Sequence, residues 1–167
     1  MDKEIRRRQS ILATTGQGVI AFGLWEVIKI NLYYLLGRGY VFDAMGMTGT
    51  EFEARFALIF SWLFLMIFGV TNLLIKIYIG RAAIFEANNY HKDNIFYCLA
   101  IVMTIINALT LFSSVLNVKI DEHIPDFVAS FLVDSTSLYM MIELISSTRK
   151  LRVLRGEKHA VKHKKTM

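Results

Sequence analysis

The sequence predicts an all-α protein, a four-transmembrane-helix bundle with both termini in the cytoplasm, and three observations predict it. Four apolar runs, at residues 11–36, 56–78, 95–118 and 127–145, each come near or exceed the roughly 20 residues that a helix needs to cross a bilayer. The chain of 167 residues is 54% hydrophobic, has a mean hydropathy of +0.44 and contains a single proline. Its charges are also sorted. Fifteen of the nineteen lysines and arginines fall at 3–8, 76–92 and 149–165, against three in the segments that would face the other side, Arg38, Arg55 and Lys119. That bias is a positive-inside signal, and it assigns the net charge of +5 to topology rather than to nucleic acid. Three parts follow: a basic cytoplasmic head at 1–10, a transmembrane domain at 11–147 and a basic cytoplasmic tail at 148–167.

The first run reads as a retained helix. A cleaved secretory signal has an apolar core of roughly 7 to 15 residues, whereas this run continues through Trp25 to Tyr33 and Tyr34, rings suited to the outer interface. Gly16 and Gly23 lie seven apart, near one stripe, and allow close helix approach. Glu26 and Lys29 share a face inside the span, where lipid offers no water to solvate a charge.

An outer loop is expected at 37–49, after which Thr50, Glu51, Phe52 and Glu53 form a capping box that starts the second helix near Glu51. Asn72 and Lys76, four apart, share a face towards its cytoplasmic end. Lys76 is expected to snorkel to the inner interface. Residues 79–94 fit either a continuation of this helix or a short interfacial one.

The third run places Ala100, Thr104, Asn107, Leu111 and Ser114 on one face, a small and polar stripe of the kind that packs against other helices. An acidic outer loop follows at 119–126 and includes His123. Pro125 suits the first turn of the fourth helix, where a missing amide hydrogen is no loss. That helix carries Asp134 within the span. Ser137 lies on the same face, and Glu143 lies roughly opposite, near the cytoplasmic end.

Depth links the first and fourth helices. Lys29 is seven residues below the outer end of helix one and Asp134 is seven residues into helix four, so both lie about 10 Å below the outer boundary, with Glu26 about one turn deeper. An unpaired ion there is penalised by roughly 2.5 kcal/mol or more, so an intramembrane cluster of Glu26, Lys29 and Asp134 is expected. In the tail, Arg149, Lys150, Arg152 and Arg155 are expected to lie on anionic lipid headgroups at the cytoplasmic face, with Gly156 stopping the helix.

Chemistry-bearing motifs are sparse. Cys98 is alone; His91, His123, His159 and His163 lie outside the spans; no glycine-rich phosphate loop or HExxH helix is present. No catalytic residue, metal or cofactor is assigned, and an enzyme is disfavoured. The sequence reads as a non-catalytic subunit or assembly partner of a larger membrane complex. It would sit in the plasma membrane, with lipid and either another membrane protein or a second copy as partners. The alternative is a small proton- or cation-coupled transporter using the Glu26, Lys29 and Asp134 cluster.

Overall fold

The computed structural model describes residues 2–36, 51–88, 94–116 and 124–166, and all of them are helical. The helices are α1 (Asp2–Leu36), α2 (Glu51–Asn88), α3 (Asn94–Leu116) and α4 (Ile124–Thr166). Three stretches among the described residues, Lys3–Leu32, Ile59–Asn88 and Asn94–Leu116, are long and apolar enough to cross a membrane. Their side chains agree with that medium. Phe60, Phe64 and Phe68 follow one another at four-residue spacing on α2 and are each about two-thirds exposed, and Leu109, Phe112 and Leu116, three and four apart on α3, are exposed to a similar degree. Such continuous apolar exposure is unfavourable in water and natural in hydrocarbon, so these are the helices of a membrane-embedded protein.

Residues 79–88 continue α2 without a break, the first of the two forms expected of them, while other expected boundaries change. The basic head is the opening of α1. Gly156 does not stop α4, which runs on to Thr166. A glycine in a helix interior costs only about 1 kcal/mol relative to alanine, which the helix-forming residues around it offset. The outer loop at 37–49, the capping Thr50, the acidic loop at 119–123 and the side chains of Tyr33 and Tyr34 lie outside the described residues. The helix starts at Glu51 and Ile124 do fall where the capping box and Pro125 place them.

The chain divides into two compact units, Met1–Val19 with Tyr78–Met167, and Ile20–Ile77. In the first unit the core follows a repeat of alternating fours and threes. Ser137, Met141, Leu144, Thr148 and Leu151 are buried on α4, as are Phe96, Ala100 and Met103 on α3 against it. Ile5, Leu12 and Val19, seven apart, are the buried stripe of α1, and Ile79 and Ala83 that of the last turns of α2. This 3.5-residue period keeps one seam of each helix turned inward along its length. Two buried threonines bond within their own helices: Thr15 Oγ1 donates to the Ile11 carbonyl at 2.8 Å, and Thr148 Oγ1 to that of Leu144 at 2.8 Å.

The second unit pairs α1 from Ile20 onward with α2 up to Ile77, antiparallel. Gly69 lies against Ile30, Asn31 Nδ2 reaches Met66 Sδ at 3.3 Å, and Gly23 lies against Leu73 and Lys76. A Cβ on Gly23 would stand 3.1 Å from both Leu73 Cδ1 and Lys76 Cβ, so a glycine there lets the helices close.

Candidate functional site

That close approach builds the polar centre of the second unit. With no side chain at Gly23, the stem of Lys76 lies against α1, and its ammonium meets Glu26 Oε1 one turn further on. Asn72, a turn before Lys76, donates from Nδ2 to Glu26 Oε2 at 2.8 Å. The Lys76 side chain is wholly buried and that of Glu26 is 26% exposed. The expectation that Lys76 snorkels to the interface is therefore corrected: its charge is satisfied inside, by a carboxylate, rather than among headgroups. A lone ammonium or carboxylate in an apolar medium is strongly penalised, whereas the pair is formally neutral and both carboxylate oxygens are engaged.

The remaining sequence-derived residues divide between the units. Lys29 is half-buried on α1 in the second unit and Asp134 half-buried on α4 in the first, so the expected three-residue cluster draws on both. On α3, Thr104, Thr110 and Ser114 each donate to a carbonyl of their own helix, four residues back. Asn107 Nδ2 is buried and forms no hydrogen bond. Ser137 is buried. Glu143, half-buried, accepts from Ser147 Oγ at 3.1 Å and lies 3.9 Å from Arg8 Nη1.

The four basic tail residues separate into two pairs. Arg149 and Lys150 are exposed. Arg152 and Arg155 turn inward to the end of α2, which departs from the surface role expected of them. Arg152 forks onto Glu86, Nε to Oε1 at 2.6 Å and Nη2 to Oε2 at 2.7 Å, and its guanidinium lies 5.2 Å from the Tyr97 ring centroid. Arg155 donates to the Glu86 and Ala87 carbonyls at 2.9 and 3.1 Å, and Gln9 Nε2 donates to the Ala87 carbonyl at 2.8 Å. The last carbonyls of a helix have no partner within it, and here side chains from α1 and α4 supply donors. Glu86, only 1% exposed, was not singled out from sequence. The available signal was the three-residue spacing of Arg152 and Arg155 on the stripe that holds Thr148 and Leu151.

Comparison with protein-family models, with curated proteins and with solved structures returns no match.

Proposed function

We propose that the chain is a multi-pass protein of the plasma membrane, with residues 127–145 as a fourth crossing and both termini cytoplasmic, serving as a non-catalytic subunit or assembly partner of a larger membrane complex. The observation that carries this reading is the closure of Glu26 by Lys76 and Asn72. A carboxylate that serves as a proton or cation site must exchange its ligand. This one has a lysine of the same chain as its counter-ion and an amide on its second oxygen, which suits a device that sets helix register. The α3 stripe supports the same reading. Its two hydroxyls, Thr104 and Ser114, bond to their own backbone, and Asn107 keeps an amide donor that a neighbouring chain could accept after a rotamer change.

The test is gentle affinity purification of a tagged copy from native membranes, with co-purifying proteins identified and their ratios measured. A stoichiometric membrane-protein partner that is lost on Asn107→Leu is expected. A lone homogeneous species that carries proton or cation flux in vesicles, abolished by Glu26→Gln with the fold intact, would overturn the reading in favour of a transporter.

A further inference from the structure

An open groove of about 810 Å³ lies within the first unit, bounded by the opening turns of α1, the first half of α3 and the middle of α4. It is within the roughly 300–1,000 Å³ typical of small-molecule sites. Its polarity is graded along its length. On α4 the lining residues fall on one helical stripe, Ile142, Ile145, Ser146, Arg149, Lys150 and Val153. Isoleucines thus occupy one end and the cations lie about two turns away, with Val153 and Leu154 just beyond them. On α3 the order matches: Tyr97 lines the end near the cations, while Ile101 and Ile105 continue the apolar wall. The stacking of Arg152 on Tyr97 fixes this alignment, because it sets the start of α3 level with that part of α4. Arg8 of α1 also lines the groove, but its charge is matched within the chain, by Glu4 at 3.3 Å and by Glu143 at 3.9 Å.

The gradient agrees with the direction of a bilayer. Asn94–Leu116 is a candidate span, so Tyr97 stands near its end, at the depth where amphipathic rings settle, while Ile101 and Ile105 stand deeper in the hydrocarbon. We propose that this groove binds one anionic glycerophospholipid, its phosphate held by Arg149 and Lys150 and an acyl chain laid along Ile101, Ile105, Ile142 and Ile145. Arg149 and Lys150 are exposed, unlike Arg152 and Arg155, whose donors are directed at Glu86 and at the end of α2. The proposal rests on the membrane reading above and is independent of the subunit role.

The experiment is native mass spectrometry of the full chain in mild detergent, titrated with phosphatidylglycerol and, separately, with phosphatidylcholine. One lipid of the anionic kind is expected to be retained at least tenfold more strongly than the zwitterionic one. Arg149→Ala with Lys150→Ala is expected to remove that preference, whereas Lys164→Ala with Lys165→Ala, an equal loss of charge, leaves it unchanged. Ile145→Trp, which fills the apolar bed and leaves every cation in place, is expected to lower retention by a similar factor. Equal losses from both double variants would reduce the effect to diffuse charge attraction and overturn the site, as would unaltered retention in Ile145→Trp. Circular dichroism of each variant separates these outcomes from misfolding. Release of the chain from membranes by alkaline carbonate would instead refute the membrane reading itself.

Discussion

Arg152 holds Glu86 by both arms of its guanidinium, at 2.6 and 2.7 Å, with the carboxylate side chain only 2% exposed. Removing one partner of such a pair leaves the other buried without its counter-charge, a loss of about 3–5 kcal/mol. Glu86→Ala is therefore expected to lower the thermal unfolding midpoint in detergent sharply. Arg152→Lys, which keeps the charge but loses the fork and the ring stacking, is expected to have a smaller effect in the same direction. Unfolding midpoints equal to that of the parent chain would refute the clamp.

Glu26 and Lys76 invite a double-mutant cycle. Glu26→Gln leaves a buried ammonium without its carboxylate, and Lys76→Met leaves a carboxylate without its cation; each is expected to reduce yield and stability, by about 3–5 kcal/mol. The combined variant should be more stable than either single one, because two well-packed neutral side chains carry no unpaired charge. Additive losses would mean that the two side chains do not act as a pair.

Two glycines of the first unit are expected to respond in opposite senses. A Cβ on Gly16 would stand 2.8 Å from the Gly80 carbonyl oxygen, which is backbone and cannot swing aside, so Gly16→Val is expected to destabilise by about 1–3 kcal/mol. Nothing lies within 4 Å of such an atom on Gly156, in the interior of α4. Gly156→Ala should therefore stabilise the helix by about 0.5–1 kcal/mol. Chemical or thermal unfolding of the two variants side by side checks both signs.

The proposed topology is open to single-cysteine labelling in a Cys98→Ser background. Lys3→Cys and Thr166→Cys are expected to resist a membrane-impermeant maleimide in intact cells and to react after permeabilisation. Asp43→Cys is expected to react in both. Labelling of the two termini from opposite sides would reduce the number of crossings from an even to an odd one.

The helices were legible because apolar runs, a capping box and a proline are local signals, and local signals set where α2 and α4 begin. Partner choice was not legible for Glu26. Measuring depth from the ends of apolar runs assumes that neighbouring helices start level. The structure instead sets Glu26 of α1 beside Asn72 and Lys76, more than twenty residues into α2, because Gly23 and Gly69 fix where those two helices approach. Helix register is a property of two packed surfaces, and a single sequence shows each surface without its mate. The same reason hid the inward turn of Arg152 and Arg155. Basic residues in a tail read as surface residues until the open end of α2 is known to lie beside them.

At 43 residues, α4 is about 65 Å long, roughly twice the thickness of a bilayer's hydrocarbon. Arg152 and Arg155 pin it to the end of α2, and eleven helical residues continue beyond them. The clamp is thus a fulcrum and the last turns a lever arm of about 16 Å. A tilt of about 10° at the pinned turn would carry the basic tip through about 3 Å, so an event at Glu86 becomes a displacement at the end of the chain. A spin label on those last turns would report such an event as a change of distance.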